Sequence, residues 1–243
     1  MNNLAFDFGN SLTKAALFKG SDLVEVFRFP GINNLDQILE LVQRLQPERI
    51  IFAEVVDLSA DLIAGLKSNT NQLIRLNDRT VVPFQMGYQT PETLGQDRMA
   101  LAAGASKMAD GNSVLAIQTG SCITYNFIDS DNVFQGGAIT PGLKMRLKSL
   151  NHFTEKLPLL ELENEASLTG STTNQSILSG IVNGATYEMD GFIEAYKKFV
   201  EPLEVILSGG DTPFFENKLK NRIFADQNLV LRGLNQILIM NDE

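Results

Sequence analysis

Two acidic residues stand out, the first where its neighbours make a charge expensive. Asp7 interrupts the apolar run Leu4-Ala5-Phe6-Asp7-Phe8 and is followed by Gly9, Asn10, Ser11, Leu12, Thr13 and Lys14. A carboxylate among Leu and Phe is costly to bury unless a cation, a ligand or a metal neutralises it. Gly9 lets backbone approach closely, Asn10 and Ser11 offer donors and Lys14 adds positive charge, which together suit a phosphate or a metal-nucleotide. A plain hairpin closed by an Asp7–Lys14 ion pair would account for the same residues. The second acid, Asp97, lies in Gly95-Gln96-Asp97-Arg98 at the start of an Ala-rich stretch. In the first turn of a predicted helix the positive end of the dipole favours the ionised form, which suits a helix cap. Arg98 presents a planar fork suited to an anionic substrate or to an ion pair.

Other chemistries are excluded by what the chain lacks. One cysteine, Cys122, cannot form an intramolecular disulfide, and the single His152 has no cysteine partner for a zinc site. A formal net charge of −9 without any Lys/Arg cluster argues against nucleic acid or an anionic membrane as partner. No charged-then-apolar leader is present and the apolar runs are strand-length, so a cytoplasmic protein is expected. There is no Gly-x4-Gly-Lys-Ser/Thr loop and no Gly-x-Gly-x-x-Gly turn, so any nucleotide must be held another way.

The elements that must position these residues follow from periodicity and breakers. Strands are predicted near 3–9, 12–18 and 22–29, a helix near 35–45, a strand at 49–55, a helix at 59–67 and a strand at 73–76. An irregular loop at 83–91 leads to a helix at 94–109. The opening then recurs: strands near 113–119, 122–128 and 132–139, a helix near 142–150, a long helix near 174–200, a strand at 203–207 entering Ser208-Gly209-Gly210-Asp211, and a terminal strand and helix. Ile117-Gln118-Thr119-Gly120-Ser121-Cys122-Ile123-Thr124 matches Phe6-Asp7-Phe8-Gly9-Asn10-Ser11-Leu12-Thr13 at an offset of 111 residues. The expected fold class is α/β, with two duplicated βββαβα-type lobes, 1–110 and 111–243, facing a central cleft. Two Gly-bearing hairpins and a Gly-Gly turn resemble the phosphate loops and adenosine turn of actin-like and hexokinase-like ATPases, whose core is ribonuclease H-like.

A narrower resemblance rests on Asp7-Phe8-Gly9-Asn10, on Tyr88 through Gly95-Gln96-Asp97-Arg98, on Gly136-Gly137-Ala138-Ile139-Thr140-Pro141-Gly142, on Lys156-Leu157-Pro158 and on Gly170-Ser171-Thr172-Thr173-Asn174. In this order, over nearly the whole chain, they resemble the type III pantothenate kinases. The resemblance implies ATP-dependent phosphorylation of pantothenate, the first step of coenzyme A biosynthesis. It implies Asp97 as proton acceptor, Asp7, Phe8, Gly9, Asn10, Ser11, Leu12, Thr13, Lys14 and Ser121 as ATP-binding residues, and Tyr88, Gly95, Gln96, Asp97, Arg98 and Thr173 at the pantothenate site. Mg²⁺ oriented by Asp7, a monovalent cation (K⁺ or NH₄⁺) at the position of Gln118, and a homodimer are implied as well.

At two positions the chain departs from the family pattern. Where the family has aspartates, the second hairpin carries Gln118 and Asn126. The first of those acids is the monovalent-cation ligand, and replacing a charge about 3 Å from a cation by an amide removes a Coulomb attraction of several kcal/mol even at an effective dielectric of about 20. Either the chain is a kinase that has lost or replaced its potassium dependence, or it is a divergent relative that binds one ligand and transfers phosphate poorly. A nucleotide-binding regulatory protein on the same fold, and a kinase for another small molecule such as a sugar or acetate, complete the alternatives.

Overall fold

The computed structural model describes residues 1–31 and 34–242. The chain forms two compact units: 1–111 with 132–135 and 228–243, and 112–131 with 136–227.

The first unit is built on β1 (Asn2–Phe8), β2 (Leu12–Lys19), β3 (Asp22–Pro30), β4 (Arg49–Glu54) and β5 (Gln72–Arg75), in the sheet order β3-β2-β1-β4-β5. β1 pairs antiparallel with β2 and parallel with β4. Side chains alternate across the pleat, so Leu4, Phe6 and Phe8 face one side and Asn3, Ala5 and Asp7 the other. The Phe6 face is covered by α1 (Leu35–Leu45) and α2 (Ala60–Ser68), through Ile38, Leu41, Val42, Leu62 and Leu66. Ser59 caps α2 by accepting from the Leu62 backbone N–H at 3.2 Å.

The other face, which carries Asp7, receives α3 (Gln96–Ala109) on β4 and α7 (Leu229–Met240) on β1, β2 and β4. α3 and α7 cross in close contact. A Cβ at Gly233 would lie 1.8 Å from the Ala100 carbonyl oxygen, and one at Gly104 would lie 2.6 Å from that of Leu229. A buried polar relay fixes α7 to the sheet: Asn3 Nδ2 donates to Asn235 Oδ1 at 2.8 Å, Asn235 Nδ2 to the Gly20 carbonyl at 2.8 Å, and Arg49 Nε to Asn3 Oδ1 at 3.1 Å. The terminal helix, which sequence order assigns to the second lobe, thus packs in the first unit. The loop expected at 83–91 contains a two-residue strand, β6 (Gln85–Met86), and is followed by a 3₁₀ turn at Pro91–Thr93.

The second unit repeats the plan. β7 (Ser113–Thr119), β8 (Cys122–Ile128), β9 (Val133–Pro141), β10 (Leu203–Gly209) and β11 (Phe224–Ala225) run in the order β11-β10-β7-β8-β9, with β6 added at the edge beyond β9. Read from the β9 side this is the order of the first sheet, strand for strand, which is what an internal duplication predicts. α4 (Leu143–His152) and the 27-residue α5 (Thr173–Phe199) pack Leu143, Leu147, Ile181, Ala185, Met189 and Ile193 on Leu115, Ile117, Tyr125 and Leu207. A short α6 (Thr212–Phe215), not foreseen from periodicity, follows β10. No described helix is long and apolar enough to cross a membrane.

Candidate active site

Asp7, the last residue but one of β1, stands opposite Lys14 in the β1/β2 ladder, with Phe8↔Thr13 as the next pair. The turn between them, with Gly9, Asn10, Ser11 and Leu12, is tight: a Cβ on Gly9 would meet the Leu12 carbonyl oxygen at 2.9 Å. Asn10 and Ser11 are exposed, while Phe8 and Thr13 are buried. Phe8 is fixed by stacking on Phe6, centroids 5.4 Å apart, and by an edge contact with Phe52 at 6.0 Å. The acid that this platform presents does not behave like a surface carboxylate. Burial and the charge of Asp97 push Asp7 from 3.8 up to about 6, against the opposing pull of Lys14.

Asp97 is within electrostatic range of Asp7 because α3 lies on the same face of the sheet. Gly95 precedes the helix, and a Cβ there would approach Asp97 Oδ1 to 2.7 Å, so a side chain at 95 would press on the carboxylate. Asp97 Oδ1 accepts from the Arg98 backbone N–H at 2.9 Å. Burial raises the Asp97 carboxyl above its ordinary range, and the Arg98 N–H and guanidinium partly restore it. Gln96 anchors the head of the helix: its Oε1 accepts from the Glu54 backbone N–H at 2.9 Å at the end of β4. Glu54 itself pairs with Arg75, a carboxylate for which the sequence carried no motif.

Arg98 is buried, with its guanidinium 5.7 Å from the Tyr88 ring centroid and 5.9 Å from that of Phe134. Tyr88 and Phe134 are 6.0 Å apart, and Phe134 is delivered by the start of β9, which pairs with β6. Phe134 is thus a site residue that only tertiary pairing reveals. Within the first unit the structure brings Asp7, Lys14, Asp97, Arg98 and Tyr88 into one electrostatic and aromatic cluster, with Gly95 and Gln96 fixing its helix.

The remaining expected residues lie in the second unit. Gln118 ends β7 next to the Gly120-Ser121 turn; its Oε1 is buried and makes no hydrogen bond to the described residues. In the β7/β8 ladder Gln118 pairs with Thr124 and Thr119 with Ile123. The second hairpin is therefore one residue tighter than the first, and the position equivalent to Asp7 faces a threonine instead of a lysine. Asn126 Nδ2 donates to Thr124 Oγ1 at 3.0 Å. Thr173 opens α5 and lines a cavity of about 550 Å³ with Arg146, Ser149, Ser176 and Gly180. Among the described residues no group of three or more His, Cys, Asp or Glu is placed to hold a metal.

The sequence model of the type III pantothenate kinase family matches residues 3–195. The type III pantothenate kinase of Phocaeicola vulgatus is 43% identical over 242 residues, covering 99% of both chains. This chain belongs to the type III pantothenate kinase family. The family enzyme of Cytophaga hutchinsonii is 40% identical, over 98% of this chain and 99% of its own. Among solved structures, a protein described as a Baf family transcriptional activator from Campylobacter jejuni superposes with a TM-score of 0.66 at 23% identity, covering 98% of each chain. The activator of 2-hydroxyisocaproyl-CoA dehydratase from Clostridium difficile, solved with ADPNP, gives 0.51 at 11% identity over 99% of this chain and 94% of its own. These two likenesses speak to fold alone, an α/β chain whose two sheets share one strand order.

Proposed function

We propose that this protein transfers the γ-phosphate of ATP to the hydroxyl of pantothenate, giving 4′-phosphopantothenate at the entry to coenzyme A biosynthesis. One observation carries it: Asp97 of the Gly95-Gln96-Asp97-Arg98 element lies close enough to Asp7 of the β1 turn to raise that residue's proton affinity. Phosphoryl transfer depends mainly on alignment and charge neutralisation. The run 7–14 and Ser121 hold the ATP phosphates, and Ser208-Gly209-Gly210-Asp211 forms the adenosine turn. Residues 1–110 then supply the first phosphate hairpin and the substrate loop, and 111–243 the second hairpin and the long helix.

Asp97 accepts the proton of the attacking hydroxyl. Burial raises its affinity for that proton, while the Arg98 N–H and guanidinium keep the carboxylate available. Such a base contributes about 10²–10⁴-fold to the rate. Arg98, held over Tyr88, binds the pantothenate carboxylate, and Tyr88, Gly95, Gln96 and Thr173 complete the pocket. Thr173 is exposed at the head of α5, consistent with a pocket finished in a homodimer.

A half-buried carboxylate whose ionisation is opposed by burial and by a second acid fits a divalent cation. Asp7 would hold hydrated Mg²⁺, which when bound neutralises charge on the transferred phosphate. The monovalent cation fits less well. At its family position stands one neutral oxygen, Gln118 Oε1, with Thr124 and Asn126 behind it. We infer that turnover does not depend on potassium. The protein acts in the cytoplasm, on small molecules.

A coupled ADP-release assay with and without pantothenate, in sodium and in potassium buffers, tests this. Pantothenate-dependent ADP release at equal rates in both salts is expected. A folded preparation inert in both rejects the kinase assignment.

A further inference from the structure

Glu188, in the middle of α5, belongs to no motif, yet its carboxylate joins four elements of the second unit. Oε1 accepts from Thr140 Oγ1 at 2.7 Å and from the Tyr125 hydroxyl at 3.2 Å, and Oε2 pairs with Arg146 Nη2 at 2.7 Å. Arg146 Nε in turn donates to the Pro141 carbonyl at 2.7 Å. Tyr125 is fully buried with its ring stacked on Phe192, centroids 4.1 Å apart, so its hydroxyl is fixed toward Glu188.

At the other end of this cluster the backbone leaves no slack. Gly142 N–H donates to the Ser121 carbonyl at 3.0 Å. A Cβ at Gly142 would lie 2.0 Å from the Gly120 carbonyl oxygen and 2.7 Å from that of Ser121. Earlier in β9, a Cβ at Gly137 would lie 1.9 Å from the Tyr125 carbonyl oxygen. A displacement of Pro141-Gly142 is therefore transmitted directly to the Gly120-Ser121 turn.

We propose that Glu188 and Arg146 are positioning residues: together they fix Pro141-Gly142, and through it the Gly120-Ser121 turn that contacts the ATP phosphates. The proposal rests on the kinase assignment for its meaning in turnover, and deepens it. The pair is partly open to water, with side-chain exposures of 19% for Arg146 and 26% for Glu188. Ion pairs so placed add little to global stability. Their effect is on geometry, to which transfer between aligned groups is sensitive.

The test uses E188A, E188Q and, as a control on the same helix, E194Q, whose exposed carboxylate pairs only with Lys197 among the described ion pairs. Fluorescent ATP-analogue binding without pantothenate is measured beside steady-state kinetics in both substrates. E188A is expected to weaken nucleotide binding and raise the KM for ATP about tenfold, the size of one lost charge-assisted hydrogen bond. The KM for pantothenate should stay within about twofold. E188Q, whose amide oxygen still accepts from Thr140, should recover to about threefold; E194Q should match wild type. Equal nucleotide binding by wild type and E188A overturns the proposal, as does a loss spread equally over both substrates. Should E188A fail to fold, E188Q decides alone, and binding equal to wild type overturns it. If wild type binds nucleotide but releases no ADP with pantothenate, the kinase assignment fails, while the binding arm still decides whether Glu188 sets the turn.

Discussion

Burial and then the charge of Asp97, at the head of α3, raise the proton affinity of Asp7 near the end of β1. The two acids come from segments ninety positions apart in sequence and meet because α3 and Asp7 share one face of the sheet. Without a counter-charge beside Asp7 this arrangement disfavours its ionised form.

Replacement of Asp7 shows that cost. Its folded pKa of about 6 exceeds the ordinary 3.8, so the folded state holds the proton more tightly and stability falls as pH rises between those values. The full penalty, about 3 kcal/mol, is present above pH 6 and absent below pH 3.8. D7N should therefore be more stable than wild type at pH 7.5 without ligands, with the gain shrinking as pH is lowered from 6 to 5. Denaturant midpoints across that range check it, and the same variant should lose transfer.

Substitution of Asp97 separates binding from transfer. D97N should lower kcat by about 10²–10⁴-fold while ATP binding, followed by calorimetry, stays close to wild type.

The Arg98 guanidinium lies over both Tyr88 and Phe134, 5.7 Å and 5.9 Å from their ring centroids, and a lysine cannot reproduce its planar fork. R98K should raise the KM for pantothenate about tenfold or more and leave that for ATP near wild type, since a bidentate contact to the substrate carboxylate is lost.

The second hairpin offers a gain of dependence. An aspartate at 118 would face Thr124 and have no cross-strand lysine to neutralise it, unlike Asp7 opposite Lys14. Q118D should turn an enzyme indifferent to salt identity into one several-fold faster in potassium than in sodium, as several kcal/mol of attraction to a cation returns. Initial rates in matched chloride salts would show it.

At the α3/α7 crossing, G233A forces a methyl group to within 1.8 Å of the Ala100 carbonyl oxygen. Overpacking against backbone should cost about 3 kcal/mol and lower the thermal midpoint by roughly 6–12 °C for a chain of this size. Since α3 carries Asp97, kcat should fall as well.

Much of this molecule was legible in its residues, for identifiable reasons. Helix 35–45 was readable because Ile38, Leu41 and Val42 recur at helical spacing, and β7 and β8 because a glycine turn separates two apolar runs. The duplication was visible in the matched hairpins, but the one-residue difference in their ladders was not: Thr13 and Thr124 align in sequence while pairing with non-equivalent partners. The short β6 pairs with β9 through two residues, too few to leave a period. Phe134 beneath Arg98 and Glu188 beside Tyr125 are products of chain segments meeting in space, for which local pattern holds no sign.

The placement of α7 bears on how the molecule is made. The half that bears both acids lacks the helix covering their face of the sheet until the ribosome has delivered residues 229–240, after the entire second unit has emerged. Nascent protein is thus expected to finish its second unit first, and Asp7 and Asp97 should come under shelter only once that helix has emerged.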